Sequence, residues 1–128
     1  MKICFPVENL LGLESQICAH FYLARGFLLV DTQNESFDEI KPEDLQNDCG
    51  VSLPLMALLV ERKVDAMVVA GIGMGSLIEM QSAGARVFRS VNGDVAKNVQ
   101  CVLENLLHEI KPPLGCGLLS GNLVLSLT

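Results

Sequence analysis

The sequence has no uninterrupted apolar run long enough to cross a membrane. Half of its 128 residues are apolar and only 19% are charged, yet Glu61-Arg62-Lys63 and Asp65 interrupt the longest apolar stretch. A membrane-spanning helix needs about 20 consecutive, predominantly apolar residues. The sequence therefore excludes a transmembrane helix and predicts a single globular domain with a substantial core.

Positive charge is scarce. The chain carries 9 Lys and Arg against 15 Asp and Glu, which gives a net charge of -6 and a pI near 4.7. A protein of this charge repels phosphate backbones and anionic lipids, so we expect neither nucleic acid nor a membrane surface as a partner. Met1-Lys2 leads directly into the strand-like Ile3-Cys4-Phe5 without the apolar segment of a signal peptide, and we expect a cytoplasmic protein.

The signatures of several enzyme classes are also missing. Ser76 stands where a dinucleotide-binding fingerprint counted from Gly71 needs its third glycine, and no Walker lysine follows. The first predicted strand lacks the clustered carboxylates of a two-metal nuclease, and no Ser-His-Asp order or nucleophile elbow is present. The residues therefore point to none of these enzyme classes, and a small enzyme acting on a phosphorylated metabolite at the glycine-rich turn stays an alternative.

The strongest positive signal is a glycine-rich turn in the middle of the chain. The small and β-branched apolar residues at 64–70 are typical of a strand that is buried on both faces. Gly71, Gly73 and Gly75 follow, and the capping-box spacing of Ser76 and Glu79 predicts that a helix begins at Ser76. Such a turn exposes backbone N–H groups at the carboxyl edge of a sheet, where α/β proteins hold ligands.

The order of the other elements predicts an α/β fold. Five strands at 2–7, 21–31, 36–40, 64–70 and 85–89 alternate with helices at 53–62, 76–83 and 95–110, and the second strand forms an antiparallel hairpin with the third. The right-handed crossover rule then gives a three-layer α/β/α sandwich with a mixed five-stranded sheet. In this topology one edge of the sheet gathers the segments 8–20, 41–50, 71–75 and 90–93.

Two of these segments carry side chains that bind metals. Cys18 and His20 lie in the first and Cys49 in the second, and thiolate and imidazole are donors that iron, zinc, copper and iron–sulfur clusters select. Glycines on both sides of Cys116 would let a further thiolate reach the same edge. The alternative is that these cysteines are small packing residues and that His20 is a hydrogen-bonded loop residue. Taken alone, the residues favour this alternative. We expect a packing role for Cys4 and Cys101 as well.

A series of motifs in the right order resembles one known family over about residues 1 to 110. The sequence is similar to the dinitrogenase iron-molybdenum cofactor biosynthesis family, which includes nitrogenase accessory factors. The resemblance implies a ribonuclease H-like α/β/α sandwich and a role in binding or carrying a cluster. The motifs are Gly12-Leu13-Glu14-Ser15, Cys18-Ala19-His20-Phe21, Phe27-Leu28-Leu29-Val30-Asp31, Cys49-Gly50, Val64-Asp65, Ala70-Gly71-Ile72-Gly73 and Ala83-Gly84-Ala85-Arg86-Val87-Phe88.

Matching the family position by position gives roles to individual residues. The family's loop histidine corresponds to His20, and its segment rich in histidine and glycine corresponds to 47–50, where Cys49 stands in place of histidine. This departure favours an iron–sulfur species bound by thiolate. Lys63 replaces the usual glycine before Val-Asp, at a cost of about 1 kcal/mol if the position is left-handed, and Tyr22 replaces a common glycine.

The sequence thus predicts a cytoplasmic, non-catalytic protein that binds an iron–sulfur or iron–molybdenum type cluster or its precursor. Its partners would be the cluster and a protein that donates or accepts it. A second copy of the chain, in a homodimer, is a further candidate partner. The backbone amides of the glycine turn would contact sulfide or an attached oxyanion. The predicted metal ligands are Cys18, His20, Cys49 and Cys116, and the predicted cluster contacts are Gly71, Gly73 and Gly75.

The end of the sequence extends beyond the resemblance. We divide the chain into a domain at 1–111, similar to the nitrogenase accessory factors, and an extension at 112–128. Within the extension, Leu123-Val124-Leu125-Ser126-Leu127 alternates like a strand that adds to the sheet or pairs with another chain. An alternative function is therefore a metal-free protein-interaction module that uses this apolar tail.

Overall fold

Six strands and three helices make up the structure, a computed structural model that describes residues 1–20, 24–41 and 52–111. The strands are β1 (Lys2–Val7), β2 (Gly26–Asp31), β3 (Ser36–Ile40), β4 (Ala66–Val69), β5 (Arg86–Arg89) and β6 (His108–Glu109). The helices are α1 (Ser52–Glu61), α2 (Met74–Ser82) and α3 (Val95–Leu103), with a short 3₁₀ turn at Gly12–Glu14. None of the described helices is long and apolar enough to cross a membrane.

The strands form one mixed sheet in the order β3-β2-β1-β4-β5-β6. The predicted hairpin is confirmed, since β2 pairs antiparallel with both β1 and β3. The parallel pairing of β1 with β4, and of β4 with β5, is the arrangement that the crossover rule predicts. The carboxyl ends of β1, β3, β4 and β5 consequently share one edge of the sheet.

The prediction of five strands and a helix reaching residue 110 is wrong. Helix α3 ends at Leu103, because Asn105 takes a left-handed conformation (φ 57°). The N–H of Leu106 then donates to the carbonyl of Cys101 (2.8 Å), which closes the last turn. The chain continues as β6, which pairs antiparallel with the open edge of β5. The sheet of the described residues therefore has six strands.

Helices cover both faces of the sheet. Leu55 and Leu59 of α1 and Met80 of α2 pack with Met67 on one face. Val95 and Val102 of α3 pack on the other face, with the alternate residues Phe5 and Val68 of the same central strands. Each central strand therefore buries both of its faces, as the apolar sequence at 64–70 predicts.

The ends of the helices agree with some sequence signals and not with others. Asp94 caps α3 by accepting from the N–H of Lys97 (3.0 Å), as expected. Gly84 follows α2 in a left-handed conformation (φ 91°), also as expected. The capping-box prediction is wrong, because α2 begins at Met74 with Gly73 as its N-cap and Ser76 lies inside the first turn. Lys63 adopts a left-handed conformation (φ 55°), the condition under which lysine costs stability in place of glycine.

Candidate functional site

The carboxyl edge of the sheet is organised by the segment that follows β1. The N–H of Glu8 donates to the carbonyl of Gln16 (3.0 Å), and the N–H of Cys18 donates to the carbonyl of Pro6 (2.9 Å). A backbone bridge between Val7 and Ile17 lies between these bonds. The segment therefore folds back along the end of β1 and brings Cys18 and His20 to the carboxyl edge.

The side chain of Cys18 points into the protein. It is only 5% exposed, and its thiol donates a hydrogen bond to the backbone carbonyl of His20 (3.0 Å). In this arrangement the sulfur stabilises the turn that places His20 on the surface. To bind a metal, Cys18 has to lose its proton and give up this hydrogen bond.

The glycine turn after β4 contacts this same segment. A Cβ atom at Gly71 would lie 2.8 Å from the carbonyl oxygen of Ala19 and 3.8 Å from Nδ1 of His20. Because the nearest obstacle is backbone, any side chain at Gly71 would push the two segments apart. The structure therefore brings His20 together with the glycine turn, as the predicted topology requires.

The other two glycines of the turn have a different environment. Gly73 and Gly75 are exposed, and no described atom would lie within 4 Å of a Cβ added to either. Gly73 is the N-cap of α2 and has no side chain to cover the first amides of that helix. The N-terminus of α2 thus opens to solvent at the end of the turn whose first glycine lies beside His20, with the positive end of the helix dipole facing outward.

A third segment joins the edge through a buried asparagine on α3. The Asn98 amide accepts from the N–H of Val91 (2.9 Å) and donates to the carbonyls of Val91 (3.2 Å) and Asp94 (3.0 Å). Sequence reasoning missed this residue, although a signal was present. Asn98 is a polar residue on the apolar stripe of α3, between Val95 and Val102.

Ser15 connects this third segment to the first one. Its carbonyl accepts from the N–H of Val95 (3.0 Å), and its buried hydroxyl oxygen accepts from the N–H of Leu11 (2.8 Å). Together with Asn98, it joins the segment after β1 to the start of α3. These bonds make the edge a rigid support on which exposed groups can be positioned.

The predicted ligand set is not assembled within the described residues. No group of three or more His, Cys, Asp or Glu side chains in the described ranges 1–20, 24–41 and 52–111 could hold a metal ion. Cys49 and Cys116 lie outside these ranges, so their roles stay predictions. The packing role expected for Cys4 is confirmed, because it is fully buried and burial raises the pKa of its thiol to about 12. Cys101 is half-buried on α3.

Comparison with known protein families finds a match over most of the chain. The family model described as dinitrogenase iron-molybdenum cofactor matches residues 1–105. None of the proteins with curated annotation matches the sequence. The family match spans β1 to the end of α3 and includes every described residue of the carboxyl edge.

Solved structures share the fold at low sequence identity. The apo form of the orange protein from Desulfovibrio gigas has a TM-score of 0.73 and 20% identity, and the match covers 85% of this chain and 92% of that one. A Thermotoga protein provisionally assigned as NifB has a TM-score of 0.72 and 20% identity, with 91% and 98% covered. A provisionally assigned dinitrogenase from Methanocaldococcus jannaschii has a TM-score of 0.62 and 20% identity, with 88% and 97% covered. At this identity the matches show the fold alone.

Proposed function

Because the chain belongs to the dinitrogenase iron-molybdenum cofactor family, which is linked to the biosynthesis of that cofactor, we propose that it binds an iron–sulfur or iron–molybdenum type cluster or precursor. The cluster is cargo, received from one protein and passed to another, and the chain carries it without catalysing a reaction. The strand order β3-β2-β1-β4-β5 with β2 antiparallel supports the finer proposal of a ribonuclease H-like sandwich.

The observation that carries this proposal is the close approach of the Ala19 carbonyl and the His20 ring to Gly71. It sets an exposed imidazole beside the glycine turn that leads into the uncapped N-terminus of α2. Clusters with bridging sulfide are often anionic, and backbone N–H groups at a helix N-terminus stabilise anions by hydrogen bonding and by the helix dipole. A chain with a net charge of -6 needs such local donors to hold an anionic cargo.

The proposed ligands are the His20 imidazole and the thiolates of Cys18 and Cys49. These donor types suit iron bound to sulfide. Cys18 would bind only after its hydrogen bond to the His20 carbonyl breaks, so cluster binding is expected to rearrange the turn at 18–20. Cys116 stays a sequence prediction, and the amides of Gly73 and Gly75 are the proposed contacts to sulfide or an oxyanion.

Anaerobic reconstitution with iron and sulfide tests this function. After desalting, we expect a coloured protein with stoichiometric iron, measured by absorption spectroscopy and metal analysis. Cys49→Ser and His20→Ala should each lower the retained iron several-fold. Cys101→Ser is the matched control, because this half-buried thiol lies on α3, outside the proposed ligand set, and its iron content should equal that of the wild type.

A colourless, metal-free product from folded protein would contradict the proposal. Equal iron loss in Cys101→Ser and Cys49→Ser would also contradict it, because the iron would then be bound by thiols without regard to position. Recovery of a protein partner by the metal-free chain would instead support the interaction module that the sequence leaves as the alternative.

A further inference from the structure

An apolar groove lies on the face of the sheet that α3 covers and extends to the β2–β3 turn, at the edge opposite the glycine turn. It has a volume of about 430 Å³ and runs between the 3₁₀ turn, the β2–β3 hairpin and α3. Three large apolar side chains that line it are unusually exposed, namely Leu13 (40%), Phe37 (43%) and Leu103 (57%). We refer to this feature as the α3 groove.

The groove exists because α3 does not reach across the outermost strand of the sheet. Phe37 of β3 pairs with Val30 of β2, and Val30 is buried whereas Phe37 is not. One end of the Phe37 ring is covered by Gly12, where an added Cβ would lie 3.0 Å from Cζ. The rest of the ring faces the groove. An apolar surface shaped this way typically receives another apolar segment.

The sequence supplies a segment with the matching chemistry. Residues 112–128, which lie outside the described part of the chain, contain no Asp, Glu, Lys or Arg. Six of them are leucine, and Leu123, Leu125 and Leu127 alternate with Val124 and Ser126. The rim of the groove carries Asp31 and Glu35, and an uncharged segment can approach these carboxylates without repulsion.

The described chain ends at the edge of the sheet at which the groove opens. Strand β6 pairs antiparallel with β5, so Lys111 follows it at the edge where β1, β4 and β5 begin. Lys2 of β1 pairs with Asp31 of β2, which puts the hairpin turn at this edge too. Four strand spacings separate β6 from β2, or about 19 Å. About six extended residues span that distance.

We propose that residues 118–127 occupy the α3 groove of their own chain, with leucine side chains against Leu13, Phe37 and Leu103. Residues 112–117 would bridge the distance from β6. A tethered segment has an effective concentration in the millimolar range, which favours this occupant over a second copy at ordinary protein concentrations. The segment so placed would keep Cys116 at the edge opposite His20, and Cys116 would then not bind the cluster. The inference does not depend on the proposed function.

Photo-crosslinking in the full chain tests this placement. Phe37→p-benzoylphenylalanine puts a reactive ketone in the groove with little change of shape. Illumination should give a crosslinked product of monomer mass. After digestion with a glutamate-specific protease, which cleaves after Glu109, position 37 should be attached to the fragment 110–128. The matched control is Val60→p-benzoylphenylalanine, since Val60 is 60% exposed on α1 and lies on the other face of the sheet. Its yield of that product should be several-fold lower.

Three outcomes would overturn the inference. These are no crosslink to 110–128 from position 37, equal yields from positions 37 and 60, or a crosslinked product of dimer mass, which would assign the groove to a second copy.

A second pair of variants gives an independent measurement. Leu125→Asp should expose the groove and raise binding of a fluorescent apolar dye several-fold, whereas Ser126→Asp should not. Equal dye binding by both variants would contradict the alternation on which the placement depends.

Discussion

The two faces of the sheet are covered in different ways. On the first face, α1 and α2 pack a continuous apolar layer around Leu55, Leu59 and Met80, all of which are at most 1% exposed. On the second face, α3 alone covers the centre, the segment after β1 covers one side, and the described residues leave a groove above β3. Among the described residues, the buried polar side chains Ser15 and Asn98 both lie on the α3 side.

This difference suggests a division of roles between the faces. The first face supplies apolar burial, the largest favourable contribution to folding. The second face contributes less burial but joins α3 to the carboxyl edge by specific hydrogen bonds. The candidate site therefore takes the start of α2 from the first face, and the segment of His20, which is hydrogen-bonded to the start of α3, from the second.

The largest expected effect compares a core residue of the first face with a groove residue of the second. Met80→Ala removes a fully buried side chain and should lower the free energy of unfolding by about 2 to 5 kcal/mol. Leu103→Ala removes a side chain that the described residues leave 57% exposed and should cost less, about 1 to 1.5 kcal/mol, because residues 118–127 in a surface groove would bury it only in part. Urea unfolding of both variants measures the difference, and equal losses would show that the two faces are covered alike.

Loss of the Asn98 hydrogen bonds should have the next largest effect. Asn98→Ala leaves the N–H of Val91 and the carbonyls of Val91 and Asp94 without this side-chain partner. We expect about 1 to 3 kcal/mol of destabilisation and faster hydrogen exchange in 90–94. Exchange at β4 on the same samples is the control. Uniformly faster exchange in both regions would show that Asn98 supports the fold in general and not this edge in particular.

Smaller effects are expected at the helix ends, where the faces can be compared at matched positions. Lys63 after α1 and Asn105 after α3 both adopt left-handed backbone. Lys63→Gly should stabilise the protein by about 1 kcal/mol, because a lysine Cβ is strained there. Asn105→Gly should gain under about 0.5 kcal/mol, since asparagine tolerates this conformation. Thermal unfolding measures both, and a larger gain at Asn105 would contradict this explanation.

The smallest expected effect is on the pH dependence of stability and comes from Glu109 of β6. This strand contacts both faces of the sheet, since its flanking residues Leu107 and Ile110 pack on opposite faces. The hydrogen bond and charge of Arg86 lower the pKa of Glu109. A lowered carboxyl pKa adds stability above the ordinary glutamate pKa, and this stability is lost as the pH falls through the folded-state value. The stability difference between wild type and Glu109→Gln should therefore shrink on acidification below about pH 4.3. A constant difference would exclude this ion pair as its source.

The sequence predicts those parts of the fold that depend on local signals. The Asp94 cap, the left-handed Gly84 and the β2–β3 hairpin each arise from residues close together in the chain. Strand β6 could not be predicted, because Leu106, Leu107 and Ile110 continue the helical spacing of α3 and the pairing with β5 is a tertiary contact. Asparagine also occurs inside helices, so Asn105 gave no clear stop signal.

The sequence predicted which segments meet at the carboxyl edge but not how their side chains are oriented. Strand order sufficed to bring the segment of His20 to the turn of Gly71, because parallel strands end at the same edge. The orientation of Cys18 could not be predicted, since the spacing of Cys18 and His20 does not say which side chain points inward. The hydrogen bonds of Asn98 could not be predicted, because its partners are backbone groups whose positions depend on the path of the loop before α3.

The central claim is that the cargo cluster binds at the carboxyl edge, beside His20 and the start of α2. Its most direct test is an NMR comparison of backbone amides in the metal-free and the anaerobically reconstituted protein. We expect paramagnetic broadening of the amides at 18–20 and 71–76, with those of Phe37 and Leu103 in the α3 groove unaffected. Broadening centred on the groove, or retained iron with no broadening at 18–20 and 71–76, would contradict it.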